Sequence, residues 1–389
     1  MNASRNKPLI QHDRPVFIAR VFVKALILLI VIDLLIGLGD PFPWLGRISI
    51  YNRLIPGRVR LPYGDNPSRA YNLSLFQLNA MFASHVLAGE PKPPDEFRVI
   101  LIGDSSTWGY YLHPDETLAA YLNAASIKLG DGHVLRAYNL GYPVMSLMKD
   151  LLILSEAERY QPDLIVWLVS LESFPYDKQL YPPLLQHNPQ PVRQLIQKYQ
   201  LNLNPNDSGF VEPGFWGKTL IGQRRTLADL IRFQLYGVMW AATGIDQDIP
   251  AIYTPRMEDL PADLSFHDLQ PPHLEASDLA FDIIEAGIQS GTQSAGQTPV
   301  LLVNEPMFIS QGQNSDIRYN FYYPRWAYDD YRSLMTEQSQ LRGWHYIDLW
   351  DAIPGDYFTN SAVHLSPDGS SRLADLLAAE IKGYLASLP

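Results

Sequence analysis

FRVILIGDSSTWG, residues 97–109, is the stretch that decides the fold. Apart from Arg98 its first half is apolar, without the alternation of a half-exposed strand. Such a run reads as a strand buried on both faces, as in parallel sheets. It stops at Gly103, and Asp104, Ser105 and Ser106 follow as residues suited to opening a helix. Outward from here the pattern repeats. A helix is expected over 118–129, a strand over 134–140, a helix over 146–160 and a strand over 164–169 (LIVWLV). It resumes with a strand at 299–303 (PVLLV), a helix over 326–340, a strand at 345–349 and a closing helix over 367–385. Apolar strands alternating with helices predict an α/β fold. The expected form is a flavodoxin-like three-layer sandwich with about five parallel strands.

Between the third and fourth strands lie residues 176–290, rich in Pro, Asn, Gln and aromatic residues. They contain one expected helix, 227–243, with an apolar stretch at 235–242 (LYGVMWAA). The simplest organisation is one α/β domain, 97–389, with this insertion after its third strand. Lying on the carboxyl side of that strand, the insertion is expected to cover one rim of the ligand crevice. Its apolar stretch is expected to pack on the main domain or to face a membrane.

The N-terminus carries a different signal. Residues 21–39 (VFVKALILLIVIDLLIGLG) form an apolar run interrupted by Lys24 and Asp33. About 20 such residues suffice to cross a bilayer. Lys24 can snorkel, whereas Asp33 needs a partner. Arg5, Lys7, Arg14 and Arg20 precede the run and favour a cytoplasmic start, although Arg47, Arg53, Arg58 and Arg60 follow it. No small-residue cleavage motif follows, so an uncleaved single-pass anchor over residues 1–40 is expected. The other reading is a buried core helix. Residues 41–96 then connect the anchor to the domain, with a helix over 71–88 ended by the prolines at 91, 93 and 94.

Of 389 residues, 47% are hydrophobic and 18% charged, enough apolar material for a large core. The net charge of -11, with Lys and Arg scattered, leaves no basic face for nucleic acid. With no cysteine, disulfides, thiolate metal sites and a cysteine nucleophile are excluded.

The chemistry concentrates at two places. Ser105 follows the first strand, on the side where open parallel sheets bind ligands. On a tight turn it can expose its hydroxyl and offer its N–H to an oxyanion; the plainer reading is an N-cap. His364, in HLSPDG (364–369), lies between the last strand and the closing helix. It can return to the same edge and act as general base toward Ser105; alone, it reads as an ordinary loop histidine. Asp104, Asn139, Asn304 and Glu305 end their strands on that side and are candidates for contacting substrate. The aromatic run 319–331 (YNFYYPRWAYDDY) can stack on sugars but is more often helix packing. Asp104, Glu172, Glu305 and His364 lack a metal-binding spacing, and no Gly-rich phosphate loop is present, so neither metal nor cofactor is expected.

Outside the insertion, residues 97–389 resemble the SGNH/GDSL hydrolases. Gly103-Asp104-Ser105 matches the first family block, Asn139-Leu140-Gly141 the second and the His364 segment the last. The resemblance implies a Ser105–His364 acyl-enzyme mechanism, with the Gly141 N–H in the oxyanion hole. Two departures stand out. Glu172 occupies the place of the family's third-block Asn, and Ser361 the place of the Asp three residues before the His. Asn360, Asp356, Glu172 and Glu305 are therefore the candidates for orienting His364. Anchor and insertion together look like the cell-envelope acylating subset, DltD-like and AlgJ/AlgX-like proteins. That likeness implies an extracytoplasmic catalytic domain, an acylated glycan or polymer as substrate, and a membrane-bound acyl donor protein as partner. The alternatives are a non-catalytic binding or scaffold protein of the same fold, and a lipid-active esterase whose 235–242 segment touches the bilayer.

Overall fold

The computed structural model describes residues 14–63, 76–89, 91–293 and 298–387. Five strands form one parallel sheet: β1 (Glu96–Ile102), β2 (Val134–Asn139), β3 (Leu164–Val169), β4 (Val300–Asn304) and β5 (His345–Asp348). Their order is β2-β1-β3-β4-β5. The chain starts inside the sheet, runs out to one edge, then returns and winds to the other. The turns after β1 and β3 therefore part company, and this switch point is where such sheets bind ligands.

Side-chain alternation builds a core on each face. Ile100, Ile102, Ile165 and Trp167 point to one layer, formed by the helices Leu147–Ala157, Phe281–Gln293 and Arg325–Arg342. Val99, Leu101, Val166 and Leu168 point to the other, formed by Leu118–Ala124 and Pro367–Ser387. Every residue of β3 is buried, which is why its sequence shows no polar–apolar period. Each aliphatic side chain so buried contributes about 1.5–3 kcal/mol. The flavodoxin-like sandwich expected from the alternation is present.

Boundaries differ in places. The helix expected over 118–129 ends at Ala124, and Ser126 turns the backbone left-handed at φ +48. Of the helix expected over 71–88, residues up to 75 lie outside the described residues; the described part is Leu78–Ser84 followed by one tighter turn, Val86–Ala88. The crossover helix Phe281–Gln293 starts inside the 176–290 segment, so the insertion proper ends near residue 280. The segment before β1 is more than a tether. Leu61, Met81, Phe82 and Leu87 belong to the main core, and Arg60 pairs with Asn139 at the carboxyl end of β2.

The helix Arg14–Gly39 is long and apolar enough to cross a membrane, and little of it is buried. A signal sequence has the same properties. Arg5 and Lys7 lie outside the described residues. Asp33 has found its partner: its carboxylate accepts the Ile221 N–H of the insertion at 2.7 Å. The insertion then runs into the helix Arg224–Thr243. Leu230, Phe233, Gly237 and Trp240 form its buried face. Gly237 lets that face lie against the Tyr51 ring, where a Cβ would come within 2.1 Å.

Candidate active site

Ser105 is the first residue of a one-turn helix, Ser105–Trp108, at the carboxyl end of β1. Asp104 caps it, accepting the Ser106 N–H at 2.7 Å. The turn is tight enough that a Cβ on Gly103 would lie 2.3 Å from Thr107 Oγ1. A Cβ on Gly141 would lie 2.5 Å from the Trp108 nitrogen, so glycine there lets the loop after β2 press on the Ser105 turn.

His364 sits in a loop pinched between Phe358 and Leu365, with the Thr359 N–H bonded to its carbonyl at 2.8 Å. Its Nε2 lies 2.8 Å from Ser105 Oγ. On the far side, Nδ1 lies 3.2 Å from Asn360 Oδ1. The assignment that satisfies both contacts puts the proton on Nδ1, donating to Asn360, and leaves Nε2 to accept the Ser105 hydroxyl. That is the tautomer a general base requires. Tyr110 and Tyr111 flank the imidazole, with ring centres at 5.0 and 6.5 Å. Burial lowers the His364 pKa to about 4.

Of the four candidates for orienting the imidazole, Asn360 is the one that contacts it. The Asp356 side chain is 98% exposed and faces Arg256 at 3.7 Å. It lies on the outside of the tight turn Gly355–Tyr357. Glu172 is bound in an ion pair to Lys178, with His267 Nε2 at 3.4 Å. Its charge is thus compensated locally, and neither residue orients His364.

The candidates for substrate contact are drawn inward. Asn139 is buried; it donates to the Trp108 carbonyl at 3.2 Å and accepts the Gly141 N–H at 3.0 Å. It locks the two turns together rather than facing a ligand. The Gly141 N–H is thereby engaged, and can reach an oxyanion only by exchanging that partner. Asn304 is buried in the helical layer, donating to Asp348 at 2.8 Å and accepting the hydroxyls of Tyr328 and Tyr331 at 3.3 Å each. Asp104 serves as a cap. Glu305 is buried beside Asp104, Ser106 and Ser170, none within tight hydrogen-bonding distance. Burial, then the Asp104 charge, push its carboxyl well above the ordinary range. In the aromatic run, Tyr319, Tyr323, Tyr328 and Tyr331 are core residues. Among the described residues no group of three His, Asp or Glu side chains could hold a metal ion.

Two supports of the site escaped the sequence reading. Lys149 is fully buried, and its ammonium donates to the carbonyls of Gly103 and Tyr142 at 2.8 Å each, tying the loops after β1 and β2 together. A Lys-Asp pair inside the apolar run LMKDLLIL, 147–154, was the available signal. Arg60 is also fully buried. It bonds to the carbonyls of Gly109 and Leu112 at 2.8 and 3.0 Å and to Asp246 at 2.6 Å. Gln247 joins the same carbonyls at 3.0 and 2.8 Å, and Tyr253 donates to Tyr111 at 2.9 Å. The insertion thus holds the backbone that follows Ser105, at one rim of the site.

No protein-family model and no curated protein sequence matches the chain. Among solved structures, the chain is similar to a carbohydrate acetylesterase from Sinorhizobium meliloti, at 12% identity over 74% of this chain and 99% of that one, with a TM-score of 0.33. It is also similar to an inhibitor-bound aryl esterase from M. smegmatis, at 10% identity over 74% and 98%, with a TM-score of 0.33. Likeness at this level bears on neither activity nor substrate.

Proposed function

We propose that this chain is a membrane-anchored serine acyl-transfer enzyme of the SGNH/GDSL type. It removes an acyl group from an ester and passes it to water or to a hydroxyl of a cell-envelope glycan. The observation that carries this reading is the line Ser105 Oγ, His364 Nε2, His364 Nδ1, Asn360 Oδ1, closed by contacts of 2.8 and 3.2 Å. Nucleophile, base and orienter stand in that order at the switch point of a parallel sheet.

In the first half-reaction Ser105 Oγ attacks the acyl carbonyl while Nε2 takes its proton. The oxyanion meets the Ser105 N–H, which opens the first turn of its helix and has no intrahelical acceptor. The tetrahedral intermediate collapses, the alcohol leaves with the proton from Nε2, and Ser105 carries the acyl ester. Water or an acceptor hydroxyl then attacks, giving its proton to Nε2, and Ser105 is released with its own proton restored. Water as acceptor makes an esterase; a glycan hydroxyl makes an O-acyltransferase. The Arg14–Gly39 helix, read as a single-pass anchor with the catalytic domain outside the cytoplasm, supports an envelope substrate.

The test is the full-length chain in detergent with an aryl acetate, with and without a soluble polyol acceptor. Hydrolysis that depends on Ser105 and His364 supports the reading, and acylated polyol identifies transfer. No turnover from a folded protein leaves the scaffold alternative.

A further inference from the structure

The Arg224–Thr243 helix has two apolar faces, and among the described residues only one of them is covered. Leu230, Phe233, Gly237 and Trp240 pack inward. On the other side Ile231, Leu235, Val238 and Met239 stand open to solvent, Leu235 at 64% exposure. Ile231, Leu235, Val238 and Ala242 follow the i, i+4, i+7, i+11 spacing of a single helical stripe. A contiguous bare stripe of this kind marks an interaction surface.

Three features point to lipid as the occupant. The helix begins where the Arg14–Gly39 helix ends: Leu227 and Leu230 pack with Ile36, and Gln223 bonds to Asp40 at 3.1 Å. Although the chain carries a net charge of -11, the exposed cations Arg224, Arg225 and Arg232 outnumber the helix's one acid, Asp229, which lies 3.9 Å from Arg225 and 3.0 Å from Arg232, and the excess suits anionic headgroups. Trp44 and Trp216, 62% and 72% exposed, lie beside the same junction, as interfacial tryptophans do.

We propose that the bare face of the Arg224–Thr243 helix lies in the headgroup layer of the membrane, as a second contact beside the anchor. The inference rests on the reading of Arg14–Gly39 as that anchor. It has a consequence for the site. The helix has 20 residues, so it reaches about 30 Å. Just beyond its far end, Asp246 and Gln247 grip the carbonyls that follow Ser105 through Arg60 and directly. A helix resting on lipid thus holds the Ser105 crevice within one helix length of the anchor, close to the bilayer surface. The ester it meets there is an amphiphile presented at the membrane.

Because the chain has no cysteine, single labels are clean. L235C, V238C, L28C in the anchor and L341C on an exposed helix far from the junction would each carry an environment-sensitive fluorophore. The full-length variants are reconstituted in phosphatidylcholine–phosphatidylglycerol vesicles containing nitroxide lipids. Labels at 235 and 238 should lose about half or more of their emission to shallow nitroxides, as expected about 5–10 Å into the interface. The label at 28 should respond to deep nitroxides and the label at 341 to neither. If 235 and 238 behave like 341 while 28 is quenched, this inference is overturned and the anchor reading stands. If 28 is not quenched, both fall. Labels at 235 and 238 shielded from aqueous iodide but untouched by lipid nitroxides would mean a protein partner or second copy, which also overturns it.

Discussion

The far nitrogen of His364 is held by an amide: Nδ1 lies 3.2 Å from Oδ1 of Asn360, four residues before it. An amide fixes the ring and its tautomer but brings no charge to balance the imidazolium that forms during attack. In a serine protease, replacing the carboxylate by an amide lowers the rate by about 10⁴, a loss that includes the wrong tautomer, which the Asn360 Oδ1 contact avoids here. N360D should therefore raise kcat on a soluble ester by about tenfold or more, with that factor as its ceiling. N360A should lower it, because the ring loses its orienter. Steady-state kinetics on both variants checks this, and equal rates in all three proteins would remove Asn360 from the mechanism.

The pH profile follows from the same ring. The base must be neutral, and burial lowers its pKa from 6.5 to about 4. Activity should stay flat from neutral pH to about 5 and fall to half near 4. In N360D a carboxylate would favour the imidazolium, so the acid limb should move upward. A wild-type midpoint near 6.5 would mean that the imidazole is solvated in the working enzyme.

Stability carries a second pH signature. His85 is fully buried, donates through Nε2 to the Asn139 carbonyl at 3.1 Å and accepts the Leu87 N–H at 3.1 Å, and its pKa is lowered to about 4, chiefly by burial. The unfolded chain takes up that proton near 6.5, well before the folded one does. The stabilisation is therefore fully present above about pH 6.5 and lost as pH falls toward 4, on the order of 3 kcal/mol. Urea midpoints measured from pH 7 to 4 should fall, and the fall should shrink in a folded H85Q variant.

Ser105 could be placed from the sequence because it follows the end of β1 by three residues, whereas His364 lies sixteen residues past β5 and was placed by its position just before the closing helix. The fold was legible for a related reason: runs like 164–169 are apolar throughout and admit only a strand buried on both faces. What failed was side-chain direction. Asn139 and Asn304 sit at the right ends of β2 and β4, yet their amides turn inward, toward the Trp108 carbonyl and toward Asp348. Spacing could not choose between Asp356 and Asn360, since that depends on which side of the pinched loop faces the imidazole. Arg60 and Asp246 are 186 positions apart, and no local pattern reveals so distant a pairing.

That pairing gives a prediction of its own. Arg60 and Asp246 are both buried, and Asp246 also accepts from the buried Arg58 at 3.1 Å, so removing Arg60 leaves the carboxylate one cation in place of two and costs about 1–3 kcal/mol. R60A should unfold at lower urea, and any folded fraction should react more slowly at Ser105, because the Gly109 and Leu112 carbonyls keep only the Gln247 amide of their two donors. An unchanged midpoint would show that water replaces the guanidinium without loss.

A Ser105 nucleophile activated by His364 should react with an active-site phosphonate. The measurement that tests it most directly is mass spectrometry of the native chain after treatment with a fluorophosphonate. One phosphonylated residue, Ser105, is expected, with H364A labelled far more slowly and S105A not at all. An unlabelled Ser105 in the folded chain, or labelling at the same rate without His364, would contradict it.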